Sequence, residues 1–416
     1  MLGTLKDMNS GIRLCWQLPG PNSIFILGGH DGHSVNKALS GLPTFDFDPQ
    51  EVKIWLRWRF IKSLFRWTRK YGFSSARLIS ALGASRAHAI VCLEQVDRQN
   101  TLRDVSFALP NLRILLIQQS RIYEAPHFFS SWGNQRNVRF LLWGREISEA
   151  VALLGAGVSG HVPTGSLTLS NFVRCAPVPR VPRTIPLLVC VKPKAVIQKS
   201  LMTERERQSA RERGGVSKSR LLEMLGRYAQ ERSMTLWFPE DKRFSTSEES
   251  HFVSTLRVLT GADCRVARVE DLALDPERHS PTSTLWTLLA SRVVVGVNTS
   301  LLWDAVALRV PVVYASFGAS KYDCYPKIGS WVLNNPSFEE FSQSLSEAGD
   351  CDSDELNKRA SLLDSWLRDP TKVDASSILR KVVSKSLEAA SLDDVFEVYD
   401  QADPEARLNQ ISNLIG

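Results

Sequence analysis

The chain has 416 residues, which is long for one domain, so two or three domains with a substantial core are expected. Hydrophobic residues make up 43% and charged residues 23%, which excludes a disordered, collagen-like or coiled-coil chain. The 51 Lys and Arg residues exceed the 44 Asp and Glu residues by seven. This excess favours anionic partners such as nucleotides, phospholipid surfaces or nucleic acid.

Short apolar runs recur along the chain with helical stretches between them, and each run is typical of a buried strand. The alternation predicts an α/β protein with parallel sheets. The predicted strands are Ser23–Leu27, Ala89–Leu93, Leu112–Ile117, Val138–Leu142, Ile185–Val191, Thr235–Phe238, Arg292–Val297 and Val310–Tyr314.

Four prolines between residues 176 and 186 separate the two sets of strands, and such a segment is typical of a stiff linker. We therefore predict an N-terminal domain over 1–175, the linker over 176–186 and a second domain over 187–336. Residues 337–416 are predicted to be helical, either as a cap or as a return to the first domain.

Targeting and cysteine patterns indicate a reducing compartment. The seven cysteines are scattered without a Cys-x-x-Cys pair, so neither a disulfide framework nor a zinc site is expected. The first twenty residues lack a basic stretch followed by an apolar one, and no run of about 18 apolar residues occurs. We expect a cytoplasmic protein that does not span a membrane.

Residues 53–73 combine seven cations with seven aromatic residues and contain no acidic residue. On a helix, Trp58, Ile61 and Phe65 gather on one side while cations extend from its flanks, a pattern typical of peripheral contact with an anionic membrane. The alternative is a surface helix that packs its aromatic side chains on the domain core. Stacking on single-stranded nucleic acid is the least favoured of the three, and we expect no nucleic-acid partner.

The stretch from Leu285 to Phe317 is the most informative for chemistry. An apolar strand is followed by Asn298, Thr299 and Ser300 and then by a predicted helix over Leu301–Leu308. A strand, polar turn and helix of this kind suit a phosphate or diphosphate, and Asp304 is placed to accept hydrogen bonds from sugar hydroxyls. Simple helix capping by residues 298–300 is the alternative.

This stretch resembles the donor-side motif of GT-B glycosyltransferases of bacterial surface-polysaccharide biosynthesis. The resemblance lies in Gly296-Val-Asn-Thr-Ser300, Asp304-Ala305 and Arg309-Val-Pro-Val312, and it differs at Arg309-Val310, where the family more often has glycine. Shorter matches are Gln118 after a strand, Trp143-Gly144 before a helix, and Gly165-Ser166. The resemblance implies two Rossmann-like domains facing a cleft, with a nucleotide-sugar as co-substrate and no cofactor.

In sialyl- and Kdo-type transferases a His-Pro pair after a strand often binds the nucleotide, and the corresponding pair here is Phe238-Pro239. Arg243 follows it and is a candidate for neutralising phosphate, although exposed cations after a strand are more often solvated.

Near the start, a strand runs into a turn that contains Gly28, Gly29 and Gly32. This turn is similar to the glycine-rich loop of the transferase that completes lipid II, although one glycine is missing. Asp31, or neutral His30, is our candidate for the base that takes the proton from the acceptor hydroxyl, and Glu124 is a second candidate. A turn cap made by Asp31 and a surface position for Glu124 are the alternatives.

We expect no metal site, because His30 and His33 with one carboxylate are an incomplete ligand set. We also expect that no Asp-x-Asp pair follows a strand in this chain. The leading interpretation is a metal-independent glycosyltransferase that uses a nucleotide-sugar and a polysaccharide or lipid-linked acceptor. The alternatives are a nucleotide-sugar epimerase or hydrolase of the same fold, and a catalytically degenerate partner that binds nucleotide or glycan.

Overall fold

The computed structural model divides the chain into two compact units. The first comprises Met1–Asn171 and Pro370–Leu408, and the second comprises Phe172–Asp369 and Asn409–Gly416. The residues that the structure describes are 13–15, 17–27, 32–47, 53–93, 99–118, 137–144, 161–175, 182–191, 216–240, 245–268, 270–272, 283–297, 299–317, 331–361, 367, 374–389 and 392–395.

The first unit contains a six-stranded parallel sheet with helices around it and a small two-stranded parallel sheet. Its strands and helices, in chain order, are β1 (Arg13–Cys15), β2 (Ile24–Leu27), α1 (Gly32–Ala38), β3 (Thr44–Asp46), β4 (Lys53–Trp55), α2 (Trp58–Ser85), β5 (Ala89–Leu93), α3 (Gln99–Ala108), β6 (Arg113–Ile117), β7 (Val138–Leu142), β8 (His161–Pro163), α4 (Leu167–Cys175) and α11 (Ala375–Glu388). Helix α4 begins in this unit, and α11 follows the second unit in the chain. The two-stranded sheet pairs β1 with β4.

The large sheet has the strand order β3-β2-β5-β6-β7-β8. Strands β2, β5 and β7 are buried at every position, as expected of parallel strands covered on both faces. On one face, α1 and α11 close the core, where Val35 and Leu39 lie in the same apolar cluster as Leu379 and Val383.

Helix α2 is broken at Gly72, whose φ of 77° and ψ of 170° are not helical. Trp55 and Phe60 are buried against each other at the start of the first half, with ring centroids 5.3 Å apart. Trp58 and Phe65 remain 75% and 73% exposed. The aromatic residues of 53–73 therefore divide, because some pack on the core while others face solvent.

The second unit contains a six-stranded parallel sheet with helices around it. Its strands and helices are β9 (Ile185–Cys190), α5 (Val216–Glu231), β10 (Leu236–Pro239), α6 (Thr246–Thr260), β11 (Cys264–Ala267), α7 (Ser283–Leu289), β12 (Ser291–Gly296), α8 (Leu301–Ala307), β13 (Val312–Ser316), β14 (Trp331–Asn334), α9 (Phe338–Asp350) and α10 (Ser353–Ser361). The strand order of the sheet is β11-β10-β9-β12-β13-β14. Ser245 and Glu248 form a capping box at the start of α6, and Gly261 ends that helix with a φ of 64°.

The predicted α/β class with parallel sheets is confirmed, and each predicted strand is present within one or two residues at either end. The helical character of the C-terminal segment is also confirmed by α9, α10 and α11. The units divide after residue 171 and assign 337–369 to the second unit and 370–408 to the first. The predicted linker falls partly outside the described residues, which resume at 182.

None of the helices in the described ranges combines the length and the apolar character needed to cross a bilayer.

Candidate functional site

The strand order of the second sheet places a topological switch point between β9 and β12. In chain order the sheet reads 3-2-1-4-5-6, so the connections leave β9 and β12 in opposite directions. In open parallel sheets, ligands bind outside the carboxyl ends of the strands at such a point. The predicted donor residues that follow β12 therefore lie at the favoured edge of this sheet.

Gly296 is the last residue of β12 and is in register with Cys190 of β9. A Cβ added at Gly296 would lie 2.5 Å from the Cys190 carbonyl oxygen and 3.3 Å from Leu302 Cδ2. No real Cβ fits at 2.5 Å from a backbone oxygen, so glycine is required for β9, β12 and α8 to meet at this spacing. The space that a side chain would need is occupied by Cys190 and Leu302, and Gly296 itself is buried.

In the polar turn after β12, the hydroxyl groups of Thr299 and Ser300 differ in their hydrogen bonding. Thr299 is buried, and its Oγ1 accepts a hydrogen bond from the Leu301 N–H at 3.4 Å, so this hydroxyl caps the start of α8. The Ser300 hydroxyl makes no capping bond and is partly exposed. Within the described residues, Ser300 is thus the member of the turn whose side chain is available to a ligand. Asn298 lies outside them.

Asp304 lies one turn into α8, and its carboxyl group accepts no hydrogen bond from the described part of the chain. Burial raises the pKa of this carboxyl from 3.8 to about 7. Burial, and then the charge of Asp304, raise the pKa of the Cys190 thiol. A partly buried carboxyl without a donor suits hydrogen bonding to hydroxyl groups of a ligand.

Helix α8 has seven residues and ends at Ala307, one residue before the predicted end. A helix this short aligns few peptide dipoles, so its contribution to phosphate binding is small. Binding at this edge depends instead on the side chains of Ser300 and Asp304.

Arg309 occupies the position where the resembled family more often has glycine. Its φ of 59° is in the left-handed region, so the turn into β13 has the geometry that favours glycine although the residue is arginine. The Arg309 carbonyl accepts a hydrogen bond from Arg183 Nη2 at 3.0 Å. Arginine therefore adopts here a backbone conformation that glycine adopts without strain.

Pro239 ends β10, at the same carboxyl edge as Gly296 but two strands away. The preceding Phe238 is 1% exposed and packs edge-on against Phe252, with ring centroids 5.8 Å apart. Phe238 therefore belongs to the core and does not replace the nucleotide-binding histidine of the resembled transferases. Arg243 lies outside the described residues.

In the first unit, Gln118 and Trp143 are brought together by the neighbouring strands β6 and β7. The Gln118 side-chain carbonyl accepts from the Trp143 backbone N–H at 2.7 Å, and the Gln118 backbone carbonyl accepts from the indole N–H at 2.9 Å. Both residues are about 3% exposed. This pair fixes the carboxyl ends of two strands, a structural role that the sequence did not indicate.

Gly165 and Ser166 follow β8 at the same edge of the first sheet. Gly165 has a φ of 83°, which a non-glycine residue rarely adopts. The Ser166 hydroxyl accepts a hydrogen bond from the Leu169 N–H at 3.3 Å and so caps α4. Among the described residues, these two positions direct the chain from β8 into α4.

The first sheet also has a switch point, between β2 and β5, because its order reads 2-1-3-4-5-6. Leu27, the last residue of β2, lies at this point, and Gly32 begins α1. The predicted loop residues Gly28, Gly29, His30 and Asp31 connect the two, but they lie outside the described residues, as does Glu124. Their assignment as candidate bases stays a prediction.

The expectation that no Asp-x-Asp pair follows a strand is wrong. Strand β3 was not predicted, and it ends at Asp46, so an Asp-x-Asp pair, Asp46-Phe47-Asp48, does follow a strand. Three residues with one apolar side chain are too short for a recognisable strand pattern. Asp46 is exposed, and Asp48 lies outside the described residues. In the part of the chain that the structure describes, no three His, Cys, Asp or Glu side chains are grouped to hold a metal ion.

Sequence comparisons identify no relative: neither the family models nor the curated proteins searched match the chain. Solved structures are similar in fold. The UDP-GlcNAc 2-epimerase of Methanocaldococcus jannaschii, solved with UDP-GlcNAc and UDP, is 11% identical; the match covers 87% of this chain and 99% of that one, with a TM-score of 0.50.

Two further similar structures have lower TM-scores. Anabaena HepE, solved with UDP and glucose, is 10% identical over 89% of this chain and all of its own, with a TM-score of 0.46. The sucrose-phosphate synthase of Thermosynechococcus elongatus is 12% identical over 94% of this chain and 98% of its own, with a TM-score of 0.41. The chain has the GT-B fold, as the sequence motifs predicted.

Proposed function

We propose that the protein is a glycosyltransferase that moves a sugar from a nucleotide-sugar donor to a surface-polysaccharide or lipid-linked glycan acceptor. The observation that carries the proposal is the position of Gly296, Ser300 and Asp304 at the switch point of the second sheet. These residues combine a close junction of β9, β12 and α8 at Gly296, a Ser300 hydroxyl without a hydrogen-bond partner among the described residues, and a partly buried Asp304 carboxyl group. That set matches the phosphate and hydroxyl groups of a nucleotide-sugar.

Each donor-side residue has a distinct role in the proposal. Gly296 lets β9, β12 and α8 pack closely, which positions the start of α8 and with it Ser300 and Asp304. The Ser300 hydroxyl donates a hydrogen bond to a phosphate oxygen. The Asp304 carboxylate accepts hydrogen bonds from hydroxyl groups of the ribose or the transferred sugar.

An inverting transfer requires a base on the acceptor side, and Asp31, neutral His30 and Glu124 remain the proposed candidates. The base takes the proton from the acceptor hydroxyl, whose oxygen forms a bond to the anomeric carbon. The bond between that carbon and the phosphate oxygen breaks, and the nucleotide leaves with the electron pair. Hydrogen bonds from the donor site stabilise the negative charge that develops on the leaving phosphate.

We propose that this chemistry needs neither a metal ion nor a cofactor. The presence of Asp46-Phe47-Asp48 after β3 makes the metal question an experimental one. Turnover that persists in excess EDTA supports the proposal, and turnover that EDTA abolishes and Mg²⁺ or Mn²⁺ restores contradicts it. We place the reaction in the cytoplasm, with the protein held peripherally at the inner face of the membrane.

The reaction class is tested by incubating the protein with UDP-, GDP-, CDP- and CMP-sugars and alkyl glycoside acceptors, followed by ¹H and ³¹P NMR. A new glycoside together with free nucleotide supports a transferase, whereas free sugar and nucleotide alone identify a hydrolase. A changed sugar configuration on an intact nucleotide identifies an epimerase. Binding of a nucleotide-sugar without turnover indicates a degenerate binding partner.

Two variants connect the activity to the site. Ser300→Ala removes the hydroxyl proposed to contact phosphate, and Ser254→Ala removes an exposed hydroxyl on α6 as a matched control. Loss of one hydrogen bond to a charged group predicts a decrease in kcat/KM of roughly 10- to 100-fold for Ser300→Ala. Equal activity of both variants would contradict the assignment of the donor site.

A further inference from the structure

One short segment of the first unit is densely cationic. Residues 53–73 contain seven Lys and Arg residues and no Asp or Glu, and the formal net charge of the whole chain is +7. The remaining residues therefore sum to zero, with 44 cations against 44 acidic residues. A segment with this density of positive charge is expected to face an anionic partner.

Within this segment, the first half of α2 presents one face to the first unit and the other to solvent. At about 100° per residue, Phe60, Leu64, Trp67 and Tyr71 lie on one side, within about 60° of one another. Phe60 is fully buried and the other three are partly buried. This face attaches the helix to the unit.

The opposite face is cationic. Its five exposed cations fall within an arc of about 100°, and none forms an ion pair within the described residues. These cations are Arg59, Lys62, Arg66, Arg69 and Lys70. Because no carboxylate in the described ranges pairs with them, these cations are available to an external anion.

Two large aromatic side chains border this cationic arc. Trp58 is 75% exposed and Phe65 is 73% exposed, and they lie about 20° apart around the helix and about 10 Å apart along it. Partly buried Ile61 continues the same apolar strip. An apolar strip beside a cationic arc on one helix is the arrangement of helices that lie in the plane of a membrane surface.

We infer that the exposed face of α2 before Gly72 docks the first unit on an anionic lipid bilayer. The rings of Trp58 and Phe65 enter the headgroup boundary, and the five cations contact lipid phosphates. A folded protein surface would supply carboxylates in a matching pattern, whereas a bilayer supplies both dense negative charge and an apolar layer at the depth of the rings. The inference holds whichever reaction the donor site performs.

The experiment is co-sedimentation of the full chain with large vesicles of phosphatidylcholine alone or with 30% phosphatidylglycerol, without nucleotide. We expect binding to the anionic vesicles and little to the neutral ones. The triple change Lys62→Gln, Arg66→Gln and Arg69→Gln is expected to weaken anionic binding roughly a hundredfold, the loss of three headgroup contacts. Trp58→Ala with Phe65→Ala is expected to weaken it roughly tenfold or more.

The matched control is Lys358→Gln, Lys381→Gln and Lys385→Gln, which removes the same number of exposed charges from α10 and α11. The melting temperature of every variant is measured, so that a misfolded protein is recognised. Equal loss in the control triple overturns the inference, since bulk charge would then explain binding. It is also overturned if the α2 triple binds normally, or if wild type binds neither vesicle.

Further measurements on the same variants distinguish two other partners that the exposed face of α2 could bind. Tighter binding of a single-stranded oligonucleotide than of anionic vesicles would assign the face to nucleic acid and overturn the inference. Self-association that disappears in Trp58→Ala with Phe65→Ala would assign it to a second copy of the chain. A failed nucleotide-binding test leaves vesicle binding unaffected, so the two proposals fail separately.

Discussion

The buried carboxyl of Asp304 predicts an unusual dependence of stability on pH. Burial raises its pKa from 3.8 to about 7, so between these values the folded protein binds more protons than the unfolded chain. Stability therefore decreases as pH rises through this window and levels off above about 7. At 1.36 kcal/mol per pH unit the full shift corresponds to about 4 kcal/mol, and because the side chain is partly exposed we expect ionising Asp304 to cost on the order of 2–4 kcal/mol at pH 8.

Asp304→Asn removes the ionisation and keeps the size of the side chain. We expect the variant to be more stable than wild type by on the order of 2–4 kcal/mol at pH 8, and about equal in stability at pH 4. For a unit of this size, the difference at pH 8 corresponds to a rise in melting temperature of roughly 4–15 °C. Paired thermal or urea unfolding at pH 4, 6 and 8 measures it.

Asp263 provides a control of opposite sign. Burial alone would raise the pKa of this carboxyl, but the hydrogen bond from Thr235 and the charges of Arg265 and Arg257 hold it below its usual value. Asp263→Asn is therefore expected to lower stability at pH 8, with the loss disappearing in acid. If Asp304→Asn is less stable than wild type at pH 8, or if its advantage does not change with pH, the assignment of Asp304 as a desolvated carboxyl is wrong.

Two further predictions concern backbone conformation and are read from unfolding in urea. Gly72→Ala, at φ 77° and ψ 170°, is expected to lose about 1–3 kcal/mol, whereas Gly83→Ala in the regular part of α2 gains about 0.5–1 kcal/mol. A loss of the same size at both positions would show that the break at Gly72 does not matter. Arg309→Gly is expected to gain about 1 kcal/mol by relieving a left-handed φ of 59°, and a loss would show that the Arg309 side chain supports the turn.

Continuous apolar runs made eight strands predictable, because parallel strands covered on both faces are apolar at nearly every position. The short strands β1, β3, β4, β8, β11 and β14 were missed because three or four residues of mixed polarity carry no period. The break at Gly72 was missed as well, since an isolated glycine in a helical pattern can lie within a continuous helix or mark its end.

Only those parts of the candidate site whose residues are adjacent in sequence were predictable. Gly296, Thr299, Ser300 and Asp304 were found because a strand, a polar turn and a helix are adjacent in sequence. The part played by Cys190 was not predictable, since it depends on β9 and β12 being neighbours across about a hundred residues. The same holds for the hydrogen bonds between Gln118 and Trp143, which only the pairing of β6 and β7 brings together.

The most direct test of the central claim is the melting temperature of the protein with UDP, GDP, CDP and CMP, compared between wild type, Ser300→Ala and the control Ser254→Ala. The account predicts that one nucleotide raises the melting temperature of wild type and of the control. At one hundred times the Kd this stabilisation is about 2.7 kcal/mol, and it should be much smaller in Ser300→Ala. No shift with any nucleotide, or an undiminished shift in Ser300→Ala, would contradict a nucleotide site at this edge of the second sheet.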